Sequence, residues 1–509
     1  MHILLTTERG TEEISVVPGS TVLSVLQDRL IPFIAPCGGR GVCGRCRVLI
    51  TDARGTRYRR ACQTEVAEGM EVVIKRISGI SSQVGSCTTP RLSRLLRAYP
   101  PDRGVSGLGV AVDVGTTTLL VRLHDLRSGA CLACASCLNP QTRFGTDVMS
   151  RISAASSGHL DEMREALVAA LWRLVERVCV DVHVTHDDLR AFSVVGNSVM
   201  EHVAAGLSPE SLGVAPFEPA CSFGDEHELL PGMPDAWYAP LLGGQVGGDV
   251  AAGLLAAGLL DAASPGMLVD VGTNGEVALA TPEGVCCCST AAGPAFEGSG
   301  ILYGMPALPG AISQVTLDHG DIALRTVGDI VPHGICGTGL VDALMVMLEL
   351  GVMDGEGRLK PAPELPQALQ ERLGKREGVD VFYLAPEQGI YLSQKDIRSL
   401  QLSKGAIQAG VSSLLEHCGL AAGDVSQVSV SGDFGTHLSA RSIEAIRLLP
   451  RELARKAEFV GNTAIEGASC ALLSNRARHD LQEGAARCTS LQLATLPSFQ
   501  SAFMEGLNF

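Results

Sequence analysis

No apolar stretch of this 509-residue chain is long enough to span a bilayer, and the N-terminal segment MHILLTTERGTEE lacks the basic region and long apolar run of a secretory leader. A membrane span is set aside, and a soluble cytoplasmic protein is expected. Basic charge is also in short supply: 40 Lys and Arg stand against 55 Asp and Glu, a net charge of -15. Such a balance argues against nucleic acid or an anionic membrane surface as a main partner. Cysteine is plentiful, with 17 residues, and in a chain without a leader these read as thiols and metal ligands rather than structural disulfides. Core-forming residues are abundant too, at 46% hydrophobic, over a length that exceeds a single core, so several domains are expected.

The first metal-ligand signal is PCGGRGVCGRC, followed by RRACQT. Cys37, Cys43, Cys46 and Cys62 have five, two and fifteen residues between them, and Gly38, Gly39, Gly41 and Gly44 let one loop wrap an inorganic core and aim amides at its sulfurs. Zinc sites more often pair two close ligand couples, so the spacing favours an iron–sulfur cluster over zinc. Strands at 2–7 and 13–17, with a helix from Thr21 to Arg29 capped by Ser20, frame this loop. The module, residues 1–78, resembles a ferredoxin of the [2Fe-2S] β-grasp type. Arg40, Arg45, Arg47, Arg54, Arg57, Arg59 and Arg60 surround the loop, and between Cys37 and Cys62 the only acid is Asp52. A solvated face and a dock for an acidic electron donor both fit that excess. Residues 79–107, rich in Ser, Pro, Gly and Arg with one short helix candidate at Leu92 to Ala98, read as a linker.

Beyond the linker comes GVAVDVGTTTLLVRLH, two apolar strands joined by an Asp-Val-Gly-Thr-Thr-Thr turn. A glycine beside a buried carboxylate allows a sharp reversal that converges donors on one point, which suits a phosphate chain and its metal; a plain β-hairpin fits as well. The pattern returns in MLVDVGTNGEVALA, where Asp270, Gly272 and Thr273 occupy the places of Asp113, Gly115 and Thr116. Two copies imply two lobes facing one cleft. VVGN at 194–197 and FVGN at 459–462 each lead from a strand into a helix, and read as one junction per lobe. An amphipathic helix is expected from Asp161 to Val178, with Leu167, Leu171, Leu174 and Val178 on its buried face. HGICGTGLVDAL places glycines at a helix start, an anion-site pattern that is weak alone. SGDFGTH ends a strand in a further glycine turn.

Several features read as ordinary structure. Cys131, Cys134 and Cys137 are spaced CxxCxxC, but neither a fourth ligand nor a glycine-rich wrap accompanies them, so they are expected to bind no cluster. Cys286, Cys287, Cys288 and Cys336 have no ligand spacing and are expected in the core. Residues 216–248, rich in Pro and Gly, read as an insertion of open role. Those after about Asn475 read as a peripheral tail.

The order of these motifs is similar to that of the actin, hexokinase and Hsp70 (ASKHA) superfamily. With the N-terminal [2Fe-2S] module it resembles the ATP-dependent reductive activators of corrinoid proteins, over nearly all of the chain. The resemblance implies an α+β multidomain protein: a β-grasp ferredoxin-like domain (1–78), a linker (79–107), a two-lobed ATPase (lobe I 108–264, lobe II 265–475) and a tail (476–509). It implies one-electron reduction of Co(II) to Co(I) on a corrinoid protein of a methyltransferase system. The cofactors would be a [2Fe-2S] cluster on Cys37, Cys43, Cys46 and Cys62, ATP and Mg²⁺. Asp113 and Asp270 would serve catalysis by holding the metal, with Gly115, Thr116, Thr117, Thr118, Gly272, Thr273, Asn274, Gly275, Glu276, Gly337, Gly432, Asp433 and Gly435 around the nucleotide. A ferredoxin or flavodoxin would donate the electron; no nucleic acid or membrane partner is expected, and homodimerisation stays open. Longer relatives carry a middle domain before the first phosphate turn, which reads as missing here. A second branch of activators carries [4Fe-4S] clusters on a cysteine-rich C-terminal region; with only Cys470 and Cys488 beyond residue 450, that branch is set aside. The rival readings are an ASKHA-type kinase or chaperone-like ATPase with a regulatory cluster, and a plain electron carrier.

Overall fold

The computed structural model describes residues 1–7, 10–29, 41, 46–53, 55–74, 81–84, 87, 89–298, 300–318, 321–432 and 438–509. The chain divides into two compact units, 1–249 with 468–479, and 250–467 with 480–509.

The first unit opens with strands β1 (His2–Thr7) and β2 (Gly10–Ser15), helix α1 (Val22–Asp28), β3 (Arg47–Asp52), β4 (Gly55–Arg60) and β5 (Glu71–Val73). Alternation of apolar residues puts Ile3, Leu5, Ile14, Val48, Ile50 and Val72 on one face, where Val22 and Leu26 of α1 cover them. The sheet order is β2-β1-β5-β3-β4, with β5 parallel to β1 and antiparallel to β3. That is the β-grasp arrangement expected for this module. The cap of α1 differs from expectation: Thr21 Oγ1, not Ser20, accepts from the Ser24 amide at 3.1 Å.

The segment 79–107 is more than a linker. Its residues Ser81–Val84 form β6, which pairs antiparallel with β9 (Cys131–Leu138), and Pro90–Ala98 form α2, capped by Thr89. An edge strand leaves unpaired amides and carbonyls that any neighbouring extended segment can satisfy, and 81–84 does so. On the other side of β9 the sheet continues through β8 (Thr118–Asp125) and β7 (Leu108–Val114) to β10 (Leu189–Gly196), which follows helices α3 (Val148–Ala154) and α4 (Leu160–Asp181) in the chain. Leu167, Leu171, Leu174 and Val178 of α4 are fully buried against this sheet, as their spacing predicts. Helix α5 (Ser198–Ala204) follows, then β11 (Glu226–His227), β12 (Ala236–Tyr238) and α6 (Gly248–Ala257). The 216–248 stretch is therefore not wholly an insertion, because β12 pairs parallel with β10 and continues the sheet.

In the second unit come β13 (Gly266–Val271), β14 (Gly275–Thr281), β15 (Gly284–Thr290), a small sheet of β16 (Ala311–Asp318), β17 (Asp321–Thr326) and β18 (Gly334–Ile335), and α7 (Gly337–Glu349). Then follow α8 (Gln367–Gln370), the meander β19 (Leu373–Arg376), β20 (Val379–Ala385) and β21 (Ile390–Ser393), and α9 (Gln394–His417), whose start is a Ser393/Asp396 capping box. The chain finishes with β22 (Gln427–Ser431), α10 (Ala440–Ala445), α11 (Arg451–Ala454), β23 (Ala457–Gly461), α12 (Thr463–Leu473), α13 (Asn475–Ala486), β24 (Cys488–Ser490) and α14 (Phe499–Glu505).

The two large sheets share one plan. The order β9-β8-β7-β10-β12 in the first matches β15-β14-β13-β22-β23 in the second, each an antiparallel meander with two parallel strands added beside its first strand. This duplication corrects one sequence inference. VVGN ends β10, whose counterpart is β22, whereas FVGN ends β23, whose counterpart is β12, so the two Gly-Asn junctions are not equivalent positions. Short strand-to-helix turns share chemistry because both must free a capping side chain, and similarity of four residues does not fix topology.

The C-terminal residues are not a peripheral tail. β24 pairs parallel with β15, the Leu491 amide donates to Cys287 O at 2.8 Å, and Gln401 of α9 donates to Leu507 O at 2.8 Å. Residues 468–479 belong with the first unit, where His124 meets Ser469 at 3.1 Å and Arg103 donates to Leu472 O at 3.0 Å.

Candidate functional site

Cys46 lies at the start of β3 and Cys62 in the single turn after β4, so the β3–β4 hairpin brings together residues sixteen apart. Their sulfurs are 3.1 Å apart, both cysteines are unbridged, and Cys46 is buried while Cys62 is partly exposed. Two convergent thiols beside a solvent-facing edge are what two ligands of one iron require. Cys37 and Cys43 lie outside the described residues. Gly41 carries φ +76°, and a side chain there would collide with Gln63, whose amide would lie 2.5 Å from a Cβ. Arg60 ties the same place down by donating to Gly41 O and to Gln63 Oε1. Part of the basic excess is internally neutralised, since Arg59 and Arg57 stand 2.9 and 3.8 Å from Asp52.

Cys131, Cys134 and Cys137 sit along β9 of the first sheet. Burial pushes the Cys131 thiol up to about 12 and the Cys137 thiol up to about 11. Cys287, Cys288 and Cys336 are buried, as expected, and Cys286 is partly so.

The β7–β8 turn is held from several sides. Asn139 donates its side-chain amide to Gly115 O at 2.8 Å and its backbone amide to Thr117 O at 2.8 Å. The wholly buried Arg151 donates to Thr116 O and, through Nε, to Gly145 O at 3.2 Å. Asn197 caps α5 by accepting from the Met200 amide and donates its Nδ2 to Thr116 Oγ1 at 2.8 Å. The carbonyls of three successive turn residues are thus all engaged. Gly115 has no room for a Cβ, which would fall 2.6 Å from Thr118 O. Asp113 and Thr116 are buried, and Thr117 and Thr118 are half-buried. Glu201 of α5 is fully buried; loss of solvent, then the nearby Asp249, push its carboxyl well above the usual range.

The β13–β14 turn is built differently. The Gly272 amide donates to Asn274 O at 3.0 Å, a three-residue reversal. Thr273 Oγ1 donates to Glu297 Oε1 at 2.8 Å, and Glu276 Oε1 accepts from Ser289 at 3.2 Å. Gly432, at the end of β22 with φ +112°, abuts the turn: a Cβ there would lie 2.5 Å from Val271 O and 3.3 Å from Asp270 Oδ1. Its amide donates to Gly461 O at 3.2 Å. Asp433 and Gly435 lie outside the described residues. Gly275 meets Ile407 of α9, at 2.5 Å from a would-be Cβ, so helix packing accounts for it. Gly337 is buried in the first turn of α7, next to the Cys336 and Thr338 contacts with Ile312 O and Ser313 O.

Sequence reasoning passed over Asn139, Arg151, Glu201 and Glu297. The first two stand in NPQTRFGTDVMSRI, residues 139–152, where the Asn-Pro pair at a helix start was the available signal for Asn139 and no local signal marked Arg151.

Three family models match the chain: the 2Fe-2S iron–sulfur cluster binding domain over residues 5–67, the RACo middle region over 108–262, and the C-terminal ASKHA domain of RACo over 264–509. The middle region is therefore present, contrary to expectation, in the stretch that sequence analysis treated as the first lobe. The chain is 29% identical to the corrinoid activation enzyme RamQ of Eubacterium limosum, over 98% of each chain. It is 25% identical to the [Co(II) methylated amine-specific corrinoid protein] reductase of Methanosarcina barkeri, over 79% of this chain and 77% of that one. A solved reductive activator for corrinoid, iron–sulfur protein superposes with a TM-score of 0.72 at 26% identity, covering 100% of this chain and 98% of that one. The chain belongs to the RACo family, with an N-terminal 2Fe-2S domain ahead of the RACo middle region and the ASKHA domain.

Proposed function

We propose that the protein reductively activates a corrinoid protein, returning Co(II) to Co(I) at the expense of ATP so that corrinoid-dependent methyl transfer can resume. The observation that carries this reading is likeness along the whole chain to a reductive activator, at 98% of that protein's length, rather than to an isolated domain. The thiols of Cys46 and Cys62, with Cys37 and Cys43, hold a [2Fe-2S] cluster. When bound, that cluster supplies one electron at a time, at roughly -400 mV if it resembles the plant type. Asp113 and Asp270 would each offer the hard carboxylate oxygens that suit Mg²⁺. Thr116, Thr117, Thr273 and Asn274 contact the phosphates. Asn139, Arg151 and Asn197 act as positioning residues for the first turn, and Glu297 for the second.

Each ~59 mV by which the cobalt couple lies below its donor lowers a one-electron equilibrium tenfold. ATP overcomes such a gap only if its bound and released states of the protein differ in affinity for the Co(II) and Co(I) partners, since an equilibrium shifts by no more than that difference. A kinase would need a general base beside a hydroxyl-bearing substrate, and no such group is assigned among the described residues. The deciding experiment mixes the reduced protein with candidate corrinoid proteins, with and without ATP, and follows cobalt by absorbance. Conversion to Co(I) that requires ATP is expected; conversion independent of nucleotide would overturn the coupling.

A further inference from the structure

The stretch between α5 and β12 carries a cluster that neither the cluster-binding domain nor the phosphate turns use. Cys221 Sγ, an Asp225 carboxylate oxygen and a His227 ring nitrogen all lie within 4.8 Å of one another. His227 Nε2 is 2.8 Å from Asp225 Oδ1 and 3.8 Å from Cys221 Sγ. A thiolate, an imidazole and a carboxylate are the donor set of a borderline divalent ion, softer than the all-oxygen shell that Mg²⁺ prefers.

The loop that gathers them is rigid for stated reasons. Phe223 and Gly224 both adopt left-handed backbone, at φ 57° and 92°, which reverses the chain between Cys221 and Asp225. The backbone on either side is tied to the end of β12 and the residues after it: Leu241 N donates to Ser222 O, Gly224 N to Tyr238 O, and Tyr238 N to Asp225 O, at 2.9, 3.1 and 2.9 Å. Trp237 Nε1 donates to Gly224 O at 3.2 Å. Phe223 lies edge-on to the His227 ring at 5.2 Å and stacks on Tyr238 at 5.2 Å, so the imidazole is clamped by packing. His202 is not a fourth ligand as it stands, because its Nε2 accepts from the Cys221 amide at 3.3 Å and its Nδ1 contacts Ser198 O at 2.7 Å.

We infer that Cys221, Asp225 and His227 form a three-residue zinc(II) site with water in the fourth position. Bond lengths of about 2.3 Å to sulfur and about 2.0 Å to nitrogen and oxygen put tetrahedral ligands about 3.6 Å apart for S···N and about 3.3 Å for N···O. The first matches the observed 3.8 Å, and the second needs the His227–Asp225 contact to open by roughly 0.5 Å as the ion takes the place of the proton between them. Asp225 is two-thirds exposed, so the open position faces solvent. Binding releases the Cys221 thiol proton to solvent, moves the neutral His227 ring proton from Nε2 to Nδ1, and leaves the ion's oxidation state unchanged.

The test uses the full chain with its cluster intact, kept anaerobic, and titrates Zn²⁺ against a chromogenic chelator. One tight equivalent is expected in the wild type and in Cys131→Ser, with affinity lowered roughly 100-fold or more in Cys221→Ser and His227→Gln. Co²⁺ added in place of zinc should give a thiolate charge-transfer band in the wild-type minus Cys221→Ser difference spectrum. Wild-type affinity retained in both variants, or no stoichiometric binding in the wild type, overturns the site. Should Cys221→Ser melt early, X-ray absorption of the zinc-loaded wild type decides: a shell with one sulfur is expected, and an all-oxygen shell overturns it.

Discussion

Asn197 does two jobs with one amide, capping α5 through Oδ1 and holding Thr116 through Nδ2. Asn197→Ala should cost about 1 kcal/mol of stability from the lost cap and weaken ATP binding as well. Asn197→Asp keeps the cap and should lose mainly the nucleotide effect; thermal melting and ATP titration of both separate the roles. Glu201 gives a contrasting expectation: burial raises its carboxyl pKa, which favours the neutral acid, so Glu201→Gln should fold with little change in melting temperature at pH 7. A large fall would mean that the carboxyl is ionised. His124 titrates out of reach of physiological pH, since burial lowers its pKa to about 4, with Gly129 O and Ser469 Oγ on its two nitrogens. Between its unfolded value, 6.5, and about 4 the unfolded chain binds a proton that the folded chain does not, so stability is retained above pH 6.5 and lost as pH falls through this window. His124→Gln should flatten that part of a stability-versus-pH curve measured in urea.

Strand β9 carries a ligand-like motif along a sheet strand. Its CxxCxxC pattern places thiols along a strand that pairs on both edges, with β8 and with β6, and no glycine-rich wrap closes around them. The triple variant Cys131→Ser, Cys134→Ser, Cys137→Ser should retain the iron and sulfide content of the wild type, while Cys62→Ser should lose it. Iron lost in the triple variant would reverse the assignment. β6 itself draws residues 81–84 out of a free linker, so the tether before β7 is shorter than composition suggests. At the other end of the chain, β24 and α14 close the second sheet and cover α9, where Lys404 donates to Asn508 O. Deleting 488–509 should expose that surface and lower the melting temperature of the protein, measured by circular dichroism; an unchanged melting curve would restore the reading of this segment as peripheral.

For the whole molecule the central expectation is that electron supply and ATP hydrolysis are separable by mutation yet joined in turnover. Asp270→Ala should abolish ATP hydrolysis and leave the visible spectrum of the cluster intact; undiminished hydrolysis would count against nucleotide binding at the β13–β14 turn. With the cluster poised chemically at fixed potential, Co(I) yield should depend on ATP. Equal yields with ATP, with ADP and with Asp113→Ala would end the coupling proposal while leaving the zinc site untouched.

The first two β-grasp strands, α4 and the two Asp-Gly-Thr hairpins were legible because period-two and period-3.6 apolar patterns and tight glycine turns are local properties of neighbouring residues. The ligand candidacy of Cys46 and Cys62 is likewise a local reading of spacing and glycine content, and the structure adds that their sulfurs stand 3.1 Å apart. What escaped was everything that depends on which distant backbone lies beside a residue. Arg151 looks like any surface arginine until the Thr116 carbonyl is above it, and nothing beside Gly275 in the sequence announces the close approach of Ile407. The two Gly-Asn junctions look equivalent until strand order separates them. Strand neighbours, the incorporation of 81–84 and 488–490 into sheets, and the meeting of Cys221 with His227 are fixed by long-range pairing. That pairing is chosen by burial of the whole core rather than by any short run of sequence, and only the tertiary structure could decide it.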